Sequence, residues 1–136
     1  MNLKNSLIGL MLMAVSAGAM AEWTKIGDAS STTTGEFDFY ADLSTIRKSG
    51  NTAKMWDLKD FKKAQTAANG KSYLSSMTRR EYDCNEEKFR GLSIYLYSGN
   101  MKNGDMVSGG DYVGEWNSIL PESTGATAFK FACGAK

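Results

Sequence analysis

Only two side chains in this chain can form a covalent cross-link, Cys84 and Cys133, and no histidine accompanies them. The absence of histidine removes the Ser-His and Cys-His nucleophile systems and the commonest metal ligand. Two thiols without histidine make a poor zinc site, and their spacing is not the C-x-x-C of redox proteins. A disulfide is the reading that fits best; closing a loop of about 50 residues is worth roughly 4 kcal/mol in the chain-entropy picture. Carboxylates lie near one another at Asp57 and Asp60 and at Glu86 and Glu87. As acid and base they would resemble a glycosidase pair, but nothing adjacent in sequence would bury and tune them. They read instead as solvated strand ends and a polar hairpin tip. No glycine-rich phosphate loop with a following lysine occurs. No enzyme, cofactor or metal is expected.

Basic residues gather at Lys62-Lys63, Lys71 and Arg79-Arg80. Such a cluster can recognise an acidic partner, but scattered edge charge that discourages sheet-to-sheet pairing explains it as well. In a strand Arg79 and Arg80 point to opposite faces, so the dipeptide is not one patch. The formal charge is +1, and loss of Lys4 with an N-terminal leader would leave balanced charge. That balance argues against a nucleic-acid binder, which carries a basic excess.

The leader itself is legible. Lys4 precedes the apolar run Leu7–Val15, and Ala19-Met20-Ala21 forms an A-x-A exit, so cleavage is expected between Ala21 and Glu22. The run is too short to span a bilayer, which takes about 20 apolar residues. The chain therefore divides into a signal peptide, residues 1–21, and one exported domain, residues 22–136, with no transmembrane segment. An oxidising compartment also suits the disulfide.

Period-two alternation dominates the exported part. Strands are expected at 23–26, 36–43, 52–61, 72–84, 88–97 and 105–113, with 28–35, 44–50 and 62–69 read as loops or turns. In the second strand Phe37, Phe39, Ala41 and Leu43 share a face; in the third, Trp56 and Leu58 are assigned to opposite faces. In the fifth, Leu92, Ile94 and Leu96 lie opposite Phe89, Tyr95 and Tyr97. Gly50-Asn51, Asn69-Gly70 and Asn85-Glu86-Glu87 are the turn signals, and Gly109-Gly110 reads as a bulge or bend. After Pro121, Ser123 or Thr124 can cap a short helix running to Cys133. The fold class is α+β, mainly antiparallel β: about six strands with one C-terminal helix on one face, which a disulfide would pin.

One helix covers only one face of such a sheet. The other keeps Tyr95 and Tyr97 mixed with Arg79, the composition of protein-binding surfaces. Two readings stay open, an interaction surface and a second, smaller core. The contact candidates are Lys71, Arg79, Tyr95 and Tyr97.

A set of residues in a fixed order resembles the surface-adhesin protein E family of Gram-negative bacteria. It comprises Trp23, Phe39–Asp42, Ile46, Gly50, Trp56-Asp57-Leu58, Asp60-Phe61, Gly70–Ser75, Asp83-Cys84, Tyr97, Met101, Gly104, Trp116, Pro121 and Cys133. The resemblance implies six antiparallel strands with a C-terminal helix held to the concave side by a Cys84–Cys133 bond. It also implies a non-enzymatic adhesin that binds host matrix proteins such as vitronectin or laminin and can dimerise. The chain departs from the family in having no lipid-anchoring cysteine after the cleavage point. Only Lys71 and Arg79-Arg80 stand where the family's basic stretch opens the central strand. The alternative function is a periplasmic carrier or enzyme inhibitor that uses the concavity beside the helix. A deep apolar pocket there would favour the carrier, and a filled core the surface binder.

Overall fold

The computed structural model describes residues 22–134. The expected leader, with its cleavage point after Ala21, lies outside the described residues. Six strands follow one another in chain order across a single antiparallel sheet. They are β1 (Thr24–Ser31), β2 (Gly35–Ser49), β3 (Thr52–Thr66), β4 (Ser72–Asp83), β5 (Lys88–Tyr97) and β6 (Met106–Asp111). A two-residue strand, β7 (Asn117–Ser118), pairs with the start of β5, and α1 (Thr124–Cys133) ends the fold.

The expected turns form. Gly50 takes a left-handed φ of 57° between β2 and β3, a conformation glycine adopts without a Cβ penalty. The Asp83 carboxylate accepts from the Asn85 and Glu86 amides in the β4–β5 hairpin. Strand lengths differ from expectation. Asp28–Ser31, Ser44–Ser49 and Lys62–Thr66 are strand, not loop. These polar stretches carry no apolar alternation because backbone pairing with the neighbouring strand, not burial, holds them extended; Arg47 to Ser49, for example, pair with Lys54 to Thr52.

The face under α1 is the core. Phe37, Phe39, Ala41, Ala53, Met55, Phe61 and Tyr82 from β2–β4 pack with Ala128 and Ala132 of α1. Leu43 leaves that face and is 36% exposed, because pairing between β2 and β3 shifts register after Asp42. Phe89 moves the other way. It packs against the core because the β4–β5 register slips between Arg79 and Arg80, so that Arg80 faces Gly91 while Arg79 faces Ser93. One extra residue on β5 reverses which side every later side chain meets. Trp56 and Leu58 lie two residues apart in continuous pairing with β4, hence on one face rather than two.

Three devices fix α1. Ser123 caps it, its hydroxyl accepting from the Ala126 amide at 3.1 Å. The Phe129 ring meets Tyr82 edge-on at 6.3 Å. Cys133 is bonded to Cys84 at the end of β4, with Cα atoms 5.7 Å apart. Replacing Ser123 by alanine leaves the Ala126 amide without its acceptor; chemical denaturation should register a loss of about 1 kcal/mol.

Candidate functional site

The face of the sheet away from α1 is built by cross-strand pairs. Trp56 of β3 sits opposite Arg79 of β4, which sits opposite Ser93 of β5, which sits opposite Asp111 of β6. One step along, Leu58 faces Met77, Met77 faces Tyr95, and Tyr95 faces Gly109. The Trp56 and Tyr95 rings lie 6.1 Å apart. Leu58 is fully buried among its neighbours, whereas Trp56, Met77, Arg79, Tyr95 and Tyr97 are half-buried. Both sequence readings of this face hold in part: a small apolar floor carries a rim of aromatic and cationic side chains open to solvent.

The rim is organised by hydrogen bonds. The Asp111 carboxylate accepts from the Ser93 hydroxyl at 2.8 Å and from the Tyr95 hydroxyl at 3.0 Å. Those two bonds, Ser93 first, hold the Asp111 carboxyl below its ordinary range. The bond to Asp111 pushes the Tyr95 phenol up. Near neutral pH the carboxylate is therefore charged and the phenol protonated, the states in which the bond forms. Burial raises Tyr97, and the Lys102 ammonium lies 5.9 Å from its ring centroid.

Gly109 makes room for Tyr95. A Cβ there would fall 2.5 Å from the Tyr95 ring and 2.9 Å from the Ile94 carbonyl oxygen. The glycine pair read as a bend in the sequence is thus, at Gly109, a site of close approach within a paired strand.

Of the four contact candidates, the structure brings Arg79, Tyr95 and Tyr97 together on one face of β4 and β5. Lys71 is exposed just before β4, eight residues from Arg79 and so about 26 Å along the strand at ~3.3 Å per residue. Sequence reasoning missed Trp56 and Asp111 as members of this group. The strand parity of Trp56 with Leu58 was available as a signal; the pairing of β6 that brings Asp111 in was not.

The remaining charges do not join a basic patch. Lys62 and Lys25 both pair with Asp38. Arg80 turns to the α1 face and pairs with Asp57. Asp57 and Asp60 are buried, not solvated: Asp57 is 1% exposed, and the Asp60 carboxylate accepts from the Asn100 side chain and the Met101 amide. They lie on opposite faces, so they form no acid–base pair. Glu86 and Glu87 are exposed at the hairpin tip, as expected.

The sequence matches the surface-adhesin protein E family over residues 23–134. The chain belongs to that family. Solved structures of Haemophilus influenzae protein E share its fold. One crystal form aligns with a TM-score of 0.58 at 13% identity, covering 70% of this chain and 79% of the other. Protein E from non-typeable Haemophilus influenzae aligns with a TM-score of 0.58 at 11% identity, covering 86% and 78%. A further protein E structure gives 0.57 at 13% identity, covering 82% and 92%. The sequence matches none of the curated proteins. Membership of the adhesin family makes this a surface adhesin, acting by binding and carried out of the cytoplasm. Among the described residues no helix is long and apolar enough to cross a membrane.

Proposed function

We propose that this surface-adhesin protein E family member holds a protein partner on the sheet face away from α1. Arg79, Tyr95 and Tyr97 are the central contacts, and Lys71 is a separate contact at the hairpin edge. The partner is a host matrix protein of the vitronectin or laminin kind. Residues 22–136 form the exported domain released from the signal peptide 1–21. The observation that carries this reading is the ordered, half-exposed set of Trp56, Arg79, Tyr95 and Tyr97. Tryptophan, tyrosine and arginine are the residues in which binding energy concentrates. Tyr95 is already held by Asp111, so little rotamer freedom is lost when a partner arrives. The carrier alternative fits less well. Beside α1 the sheet leaves a cavity of about 100 Å³ and, between β1, β2 and the start of the helix, a cleft of about 340 Å³ lined largely by polar residues such as Asp28, Ser30, Glu122, Ser123 and Thr124. Neither is the deep, mostly apolar pocket that a small-molecule carrier needs.

Alanine at Tyr95 or Arg79 should weaken binding to immobilised vitronectin or laminin by at least tenfold in surface plasmon resonance, with the domain still folded by circular dichroism at the assay temperature. Lys71→Ala tests the hairpin edge independently. Unaltered affinity in the Tyr95, Arg79 and Tyr97 variants would remove the face from the site. Cell fractionation decides the location: mature protein confined to the periplasm would exclude a host-facing role.

A further inference from the structure

The sheet face under α1 is largely hydrocarbon, yet β3 and β4 place Asp57, Lys59, Arg80 and Tyr82 within it. Asp57 takes the Arg80 guanidinium. Lys59 has no carboxylate or hydrogen-bond partner among the described residues; its ammonium lies 5.1 Å from the Phe37 ring centroid. Burial, with repulsion from Arg80, holds that ammonium below its ordinary pKa. Tyr82 is fully buried and its hydroxyl has no hydrogen-bond partner among the described residues. Burial, reinforced by Asp57, pushes the phenol far up, so it stays a neutral donor. The 100 Å³ cavity lies between this cluster and the helix, lined by Lys59, Arg80, Tyr82, Thr124 and Gly125 among others.

We propose that this cavity binds a small oxyanion, held by Lys59 and Arg80, the Tyr82 hydroxyl and the first amides of α1. Three independent observations converge on it. Two cations and one carboxylate leave a positive excess at a place with only partial access to water, where an anion would offset it. Tyr82, whose hydroxyl has no hydrogen-bond partner among the described residues, is one of the lining residues, and the nearby Asp57 Oδ1 also lacks a partner. The helix begins there as well. Ser123 takes the Ala126 amide, and the Thr124 and Gly125 amides have no intrahelical acceptor by position. Gly125 is otherwise unexplained. Its φ is not left-handed, and an added Cβ would touch only the Ser123 hydroxyl oxygen at 3.5 Å. Close approach of a ligand to the backbone is a remaining reason for glycine at that position. The volume admits a group the size of sulfate, phosphate or a single carboxylate, and excludes a peptide or a drug-sized molecule. The ion would tie the start of α1 to β3 and β4, as the disulfide ties its end.

The test is amide NMR of the protein titrated separately with sodium sulfate, sodium phosphate and sodium acetate, each against sodium chloride at matched ionic strength. Saturable shifts at Thr124 and Gly125 with at least one oxyanion are expected. Preference for sulfate or phosphate assigns a tetrahedral ion, and preference for acetate a carboxylate. Lys59→Gln should weaken the effective anion at least tenfold while leaving the remaining spectrum dispersed. Gly125→Ala should weaken it without removing charge. Linear shifts equal to those of chloride, or saturation unaffected by both variants, would overturn the site.

Discussion

Asp57→Ala is expected to destabilise the fold by about 3 kcal/mol, at the lower end of the cost of breaking a buried ion pair. The Asp57 side chain is 1% exposed and that of Arg80 20%. Removing the carboxylate strands a guanidinium that lies under α1 beside Tyr82, with only partial access to water. The repulsion of Arg80 for Lys59 would also lose the counter-charge that now offsets it. Exchanging both partners, Asp57→Ala with Arg80→Met, should recover most of the loss, because apolar replacement of a buried pair is often neutral. Urea unfolding of the two single variants and the double variant measures the coupling. A single-variant cost under about 1 kcal/mol would mean that water already compensates the pair.

Replacing Cys84 and Cys133 together by serine should cost roughly 4 kcal/mol, lowering the melting temperature by on the order of 15 °C. The effect comes in part from the freed unfolded chain and in part from α1. Ser123, at the other end of the helix, and the Lys48 ammonium, 3.5 Å from the Cys133 carbonyl oxygen, would be the polar contacts left to anchor the ten residues Thr124–Cys133. Ala128, Phe129 and Ala132 would part from Tyr82 and its neighbours more readily. Calorimetry of the variant, and of the native protein with and without reductant, should give matching shifts. A reduced protein that melts with the oxidised one would show that packing alone holds the helix.

Several elements were legible in the residues because local chemistry dictates them. Ser123 before an Ala- and Phe-bearing ten-mer, two cysteines, and glycine or asparagine at the β2–β3, β3–β4 and β4–β5 turns specified the helix, its anchor and those three hairpins. What failed depended on partners. The slip opposite Arg79-Arg80 is a property of two strands in register, so parity along β5 alone put Phe89 on the wrong face. Asp57 looked solvated because its partner Arg80 lies on the next strand, 23 positions on. In the candidate site, Tyr95, Tyr97 and Arg79 were visible from alternation. Asp111 was not, since it joins them only through the pairing of β6 with β5. Polar ends such as Lys62–Thr66 gave no apolar rhythm, although main-chain bonding extends them as strand.

The order of strands has a bearing on how the molecule is made. Each strand of the β1–β6 path bonds to its predecessor in the chain, so the sheet can grow hairpin by hairpin, with little entropy spent on distant encounters. Only the last segment must travel back, laying α1 across strands formed much earlier. For a polypeptide that emerges amino end first, Cys84 would be seated on a finished ladder before Cys133 arrives. Oxidation then seals a shape already reached rather than choosing among shapes, and a cell short of oxidant would accumulate sheets with an undocked tail.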